Sequence, residues 1–208
     1  MVFFPVGILQ AFISPLAGQL TDRLNPKIPA MMGVVILGIS LYLFSFFSLQ
    51  TTHAQIMFPL YLRGIGIGLI FTPLTAIALL DIPKPQLAQA SGLFNTIRQI
   101  GGSFGIAALG TLLTERMKFH KQIYGEQLDI TSPAYHQAMT HLKEFIMQTA
   151  GGNLLTATIQ SRSLLFKNIV SQAFVQGIND DFLIGAILTI LLVIPLLLLK
   201  TGKKYLNR

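Results

Sequence analysis

The sequence predicts an all-α membrane protein, with five transmembrane helices and a helical hairpin on the extracytoplasmic side. One observation is composition: 52% of the 208 residues are hydrophobic, only 11% are charged, and the mean hydropathy is +0.62. A soluble domain carries about 25% charged residues. Another is the recurrence of apolar stretches near the roughly 20 residues that a helix needs to cross the hydrocarbon core. Short segments of alternating hydropathy, the mark of a membrane barrel, are missing from the sequence.

The stretches are Val2–Leu20, Ala30–Leu49, Gln55–Leu79, Ala88–Leu113 and Phe182–Leu199. The last ends in Leu-Leu-Val-Ile-Pro-Leu-Leu-Leu-Leu, where Pro195 bends a helix near its terminus. Residues 1–113 thus hold the first four spans, 114–181 a long loop, 182–199 the last span and 200–208 a tail. Short loops set orientation through their Lys and Arg content. The loop after the first span carries Arg23 and Lys27, the tail carries Lys200, Lys203, Lys204 and Arg208, and Gln50–Ala54 carries neither residue type. The N-terminus is therefore placed outside and the C-terminus in the cytoplasm, and residues 114–181 fall outside. In that loop Tyr135, Met139, Leu142 and Ile146 recur at helical spacing, as do Phe166, Ile169, Ala173 and Phe174. Ser132-Pro133 reads as a helix start and Gly151-Gly152-Asn153 as a turn, which together give an amphipathic hairpin.

Several function classes are excluded. The chain has no cysteine, so thiolate metal sites, disulfides and cysteine nucleophiles are absent. Its four histidines have no ligand spacing: His136 and His141 are five apart, and His53 and His120 read as surface or packing residues. No phosphate loop or nucleophile elbow occurs, so neither an enzyme nor a resident cofactor is expected. The net charge of +7 is accounted for by membrane orientation rather than nucleic acid, because the bases flank apolar spans.

The informative residues are polar ones inside the spans. Arg63 and Arg98 lie roughly 12 and 15 Å into the third and fourth spans at 1.5 Å per residue. A charge at that depth costs a few kcal/mol or more and marks a water-filled cavity or a buried network. The five spans contain no Asp or Glu, since Asp22, Asp81, Asp180 and Asp181 all stand at their ends. The counter-charges are therefore expected from another lobe, another chain or a bound anion. Asn95 and Gln99 add polar groups within a turn of Arg98. Gly64 and Gly68, and again Gly101 and Gly105, form small-xxx-small pairs suited to close helix packing, and Pro73 can bend the third span. The run is no dinucleotide fingerprint, because Leu69 stands where the third glycine belongs. Between the first two spans, Gly18-Gln-Leu-Thr-Asp22-Arg23-Leu-Asn-Pro-Lys27 places an acid ahead of two bases at a cytoplasmic helix end.

These residues resemble the major facilitator superfamily. Gly18-x-Leu20-x-Asp22-Arg23 with Lys27 is similar to the second-half copy of its cytoplasmic motif, departing at Asn25-Pro26 where a glycine is usual. Arg63-Gly-x-Gly-x-Gly-x-x-Phe71-x-Pro73-Leu74 and Ala90-Ser-Gly-Leu-x-Asn95-x-x-Arg98-Gln99-x-Gly-Gly-Ser-x-Gly105 resemble the last spans of fourteen-span drug:proton antiporters of the EmrB/QacA type. The resemblance implies spans ten to fourteen, most of the C-terminal six-helix bundle. It also implies a bacterial inner-membrane location, alternating access, protons and an amphipathic small molecule as cargo, and a periplasmic adaptor as partner. The carboxylates that such antiporters use lie largely in earlier helices, so the N-terminal half of the transporter is expected as a partner beside the lipid bilayer. The expectation is the C-terminal portion of a drug exporter, with Arg63, Asn95, Arg98 and Gln99 lining or bracing the cavity. The alternative expectation is a non-transporting scaffold or truncated remnant that docks an extracytoplasmic adaptor.

Overall fold

The computed structural model describes residues 4–127, 131–150 and 153–199; the basic tail that helped set orientation, the Gly151-Gly152 turn and Asp129 lie outside them. Every regular element among the described residues is helical: α1 (Phe4–Arg23), α2 (Lys27–Phe44), α3 (His53–Ala78), α4 (Leu87–Gln127), α5 (Pro133–Ala150), α6 (Leu154–Leu191) and α7 (Val193–Leu198), with a 3₁₀ turn at Lys84–Gln86. The chain divides into two compact units. One is drawn from Met1–Phe47, Thr51–Leu109 and Asp181–Arg208, the other from Ser48–Gln50 and Gly110–Asp180.

Three of the helical runs are long and apolar enough to cross a membrane: α2, α3 and Leu154–Leu198. The 20-residue α1 has the length, but Gln10 and Gln19 dilute it, and Asn95, Arg98 and Gln99 do the same for α4.

Helix ends differ from the apolar stretches for identifiable reasons. α2 starts at Lys27 rather than Ala30, because the Lys27 N–H donates to Asn25 Oδ1 (3.1 Å) and Pro26 presets the turn. α4 passes Leu113 without a break and runs to Gln127. Hydropathy falls there, but Leu, Glu, Arg, Met, Lys and Gln are all good helix formers. α6 likewise runs unbroken across Asp180 and Asp181. The break comes at Leu192, where Pro195 has no N–H to offer the Leu191 carbonyl.

The first unit is organised by glycines on α3. At 100° per residue, Gly64 and Gly68 lie on one face and Gly66 on the opposite one. A Cβ at Gly64 would stand 3.1 Å from Val6 Cγ1, and one at Gly68 2.9 Å from Ile13 Cγ2, so that face holds α1. A Cβ at Gly66 would stand 2.9 Å from the Leu37 nitrogen and 3.1 Å from the Gly33 carbonyl, so the other face holds α2. Gly33 returns the contact, its Cβ position being 2.9 Å from the Gly66 carbonyl. Close by, buried Ser40 donates to the Pro59 carbonyl at 2.7 Å. The end of α6 packs on α2 where a Cβ at Gly38 would meet Ile190 Cγ1 at 2.7 Å, and Phe44 stacks on Phe182 with centroids 5.0 Å apart. From this register, α1, α3 and the end of α6 run one way and α2 runs the other. Ala30, Val34 and Leu196 form a small core, flanked by Met31, Ile70, Ile77 and Val193.

The early part of α4 differs. Leu93, Ile97, Ile100 and Phe104 are 60–76% exposed. A Cβ at Gly101 or Gly105 would meet nothing within 4 Å, so the close packing expected of that pair is not made by the described residues.

In the second unit, α5 begins with Ser132 Oγ accepting the Tyr135 N–H (3.1 Å), and it buries Met139 and Ile146. Within this unit α6 buries Ala157, Ser161, Ala173, Gly177 and Asn179. Gly177 lets α6 approach α4, where a Cβ would stand 3.2 Å from the Met117 nitrogen.

Overpacking a tight core contact costs about 1–3 kcal/mol. Gly66→Val is therefore expected to lower stability by that amount in a dodecyl sulfate titration of the purified chain followed by circular dichroism. Gly101→Ala is expected to stay within about 0.5 kcal/mol of the parent. Ser40→Ala should lose about 1 kcal/mol in the same titration, since it orphans no donor but removes a buried interhelical hydrogen bond.

Candidate functional site

In the first unit one polar side chain of α4 reaches α3. Arg98, exposed on α4, sets its guanidinium over the Phe71 ring of α3, 5.1 Å from the centroid. Phe71 also lines an open groove of about 490 Å³ with Thr72, Thr75, Ala76 and Leu79. The Thr75 hydroxyl donates to the Phe71 carbonyl at 2.9 Å, which satisfies it locally and leaves the groove mainly apolar. An aromatic wall with a guanidinium at its edge suits a flat or amphipathic molecule.

Asn95 and Gln99 are exposed beside Arg98 on α4, one turn apart, whereas Arg63 is half-buried two turns before Phe71 on α3. Among the described residues no carboxylate pairs with Arg63 or Arg98. The structure thus joins Arg98 to Phe71, keeps Asn95 and Gln99 alongside, and leaves Arg63 apart. Pro73 is buried within α3, which continues past it to Ala78.

In the turn from α1 to α2, Gly18 lies against α3, a Cβ there meeting Thr72 Cγ2 at 3.7 Å. Asp22 and Arg23 are exposed and Lys27 is half-buried. No ion pair joins the three among the described residues, and the order of the turn comes from Asn25-Pro26.

A second polar cluster was not foreseen from spacing. Asp180 on α6 receives His120 and Arg116, one turn apart on α4: His120 Nε2 lies 2.8 Å from Asp180 Oδ2 and Arg116 Nε 3.7 Å from the same oxygen. Both partners of the closer contact are largely shielded, with side chains 18% and 29% exposed. His120 is therefore a partnered residue rather than a surface histidine. The contact links residues 60 apart, and its only sequence signal is a basic i, i+4 pair on a helix. His53, His136 and His141 are exposed, and no group of potential metal ligands occurs among the described residues.

The family model of the Major Facilitator Superfamily matches residues 1–106. The chain belongs to the Major Facilitator Superfamily. The match takes in α1 to α3 and the part of α4 that carries Asn95, Arg98 and Gln99. Among curated relatives, the fatty acid resistance protein FarB of Neisseria gonorrhoeae is 28% identical over 91% of this chain and 36% of its own length. The MFS-type transporter YhcA of Bacillus subtilis and the multidrug export protein EmrB of Haemophilus influenzae are each 25% identical over 88% of the chain and 34% of their own. The chain thus spans about a third of the length of the curated relatives it matches. Membership in this superfamily makes it a multi-pass membrane protein of a transporter family, in keeping with its apolar helices.

Asp180→Ala should lower the melting temperature of the chain through loss of about 1–3 kcal/mol, the cost of leaving half-buried partners unsatisfied. Glu115→Ala, which removes only the exposed pair with Lys118, should stay within about 0.5 kcal/mol. Thermal unfolding followed by circular dichroism in detergent separates the two.

Proposed function

We propose that the chain forms the C-terminal portion of a proton-coupled exporter of drugs or other amphipathic small molecules. In this reading the five apolar stretches are the last five spans of a fourteen-span transporter. The N-terminus lies outside, the C-terminus lies in the cytoplasm, and the rest of the polypeptide supplies the facing lobe. The observation that carries the reading is the polar edge of α4, Asn95, Arg98 and Gln99, exposed beside the apolar Leu93, Ile97 and Ile100 and next to a groove walled by Phe71. Such a face in a bilayer requires a protein-lined or water-filled cavity. Two further facts support the proposal. The opposed directions of α2 and of α1, α3 and the end of α6 suit alternating spans. The curated relatives include proteins named for multidrug export.

Arg98 then stands at the cavity and holds a carboxylate of the facing lobe in its ionised form until substrate or proton displaces it. Arg63 and Pro73 brace α3, and the turn from Gly18 to Lys27 sits at the cytoplasmic mouth. Everted vesicles carrying the full-length transporter provide the test. Arg98→Ala should slow proton-driven drug accumulation at least tenfold at equal protein level, with Arg98→Lys partly restoring it. Unchanged transport and coupling in Arg98→Ala would reduce the residue to packing.

A second reading rests on the separate compactness of Gly110–Asp180: this unit docks an extracytoplasmic adaptor. Deleting residues 114–181 should abolish co-purification with such an adaptor if so. Transport lost with adaptor binding intact would favour a role in the transport cycle.

A further inference from the structure

The second unit contains a groove that neither the transporter reading nor the Asp180 cluster uses. It has a volume of about 300 Å³ and is lined by Gly125 of α4, Tyr135 of α5, and Arg162, Leu165, Phe166 and Ile169 of α6. Spacing explains the convergence: residues 162, 165, 166 and 169 occupy one face of α6, and Lys121 and Gly125 are one turn apart on α4. Lys121 Nζ sits over the Phe166 ring, 4.9 Å from the centroid, at the edge of the groove.

Two bases converge on this groove, Arg162 in its lining and Lys121 over the Phe166 ring. In the same unit Arg116 lies by Asp180 and Lys118 by Glu115. Among the described residues no carboxylate pairs with Arg162 or Lys121. Glu126, next in sequence to Gly125, accepts a hydrogen bond from Gln122 Nε2 at 2.9 Å on the exposed side of α4. Leu165, Phe166, Ile169 and the Tyr135 ring make the rest of the lining apolar. The volume is at the lower end of the roughly 300–1,000 Å³ of small-molecule sites, enough for one hydrocarbon chain and too small for a two-chain phospholipid. Gly125 lines the groove, and a Cβ there would meet nothing within 4 Å, so a side chain at this position would enter free space without a clash.

We propose that the groove between α4, α5 and α6 binds a single-chain amphiphilic anion, an alkyl carboxylate, with Arg162 and Lys121 holding the head group and Leu165, Phe166 and Ile169 the chain. The planar fork of an arginine matches a carboxylate bidentately, and the lysine adds a second positive charge. The site stands apart from the exporter reading, because it lies wholly within the second unit and needs no facing lobe.

The test uses the full chain in phosphatidylcholine nanodiscs, with dodecanoate displacing a dansyl-labelled alkanoate. Dodecanoate should displace the probe saturably. Arg162→Gln should weaken it about tenfold or more, the loss expected for a charge-assisted hydrogen bond. Gly125→Leu should abolish displacement while leaving helicity and melting temperature unchanged, because the added side chain fills open space. Lys121→Gln provides a second charge variant should Arg162→Gln fold poorly, and should weaken binding at least threefold. Equal displacement by dodecyltrimethylammonium, or affinity unchanged in Gly125→Leu, would overturn the assignment. So would displacement by added phosphatidylglycerol as effective as that by dodecanoate, which would put a phospholipid there instead.

Discussion

Backbone approach is the constraint on which the first unit depends. Between helices in hydrocarbon there is little to gain from burying one leucine against another, since the lipid chains are equally apolar; close van der Waals contact and interhelical hydrogen bonds supply the association. Gly64 and Gly68 bring α1 against α3, and Gly66 with Gly33 brings α2 against its other side. Alternate glycines on one helix therefore specify two partners, and the Ser40 to Pro59 bond fixes the register of the second. This arrangement holds α3 in place, and α3 carries both Phe71 and the Thr72–Leu79 wall of the groove.

The early part of α4 shows what the same chemistry looks like where the described residues put nothing against it. Gly101 and Gly105 repeat the spacing of Gly64 and Gly68, yet open space surrounds both, and Leu93, Ile97, Ile100 and Phe104 are uncovered. Small residues at i and i+4 record a capacity for contact; whether contact occurs depends on what is there to meet them. A helix with a bare glycine stripe, a bare apolar stripe and a bare polar edge is complementary to more than one kind of neighbour. In a transporter those neighbours are lipid, a facing helix and a solvated cavity.

Composition alone settled that the chain is helical and apolar, because long uncharged stretches have few other ways to satisfy their backbone in a bilayer. The glycine run was legible as a packing signal on one face, but Gly66 went unread because an i, i+4 template inspects a single stripe. The reach of α4 to Gln127 was hidden by reading hydropathy as if it ended helices, when only caps and breakers do. The pairing of His120 with Asp180 had no local trace: two residues 60 apart meet because Gly177 lets α6 lie close to α4. The groove of the second unit was invisible for the same reason, since its lining comes from three helices.

Magnitudes decide what Arg98 still needs. A cation over an aromatic face gains about 0.5–2 kcal/mol, and Phe71 is the ring beneath this one. The segment of α4 from Leu87 to Glu115 is about 42 Å long at 1.5 Å per residue, close to the full thickness of a bilayer with its head groups. Arg98 lies roughly 16 Å from the start of that segment. A guanidinium at such a depth costs at least about 2.5–3.5 kcal/mol. One aromatic ring therefore does not offset the burial, and among the described residues no carboxylate is paired with Arg98. In a bilayer the difference must be met by water admitted to a cavity or by an anion facing α4. A surface opposite this helix would supply either, and that is the physical support for our proposal that the uncovered face of α4 is half of a transport pathway rather than a lipid-facing wall.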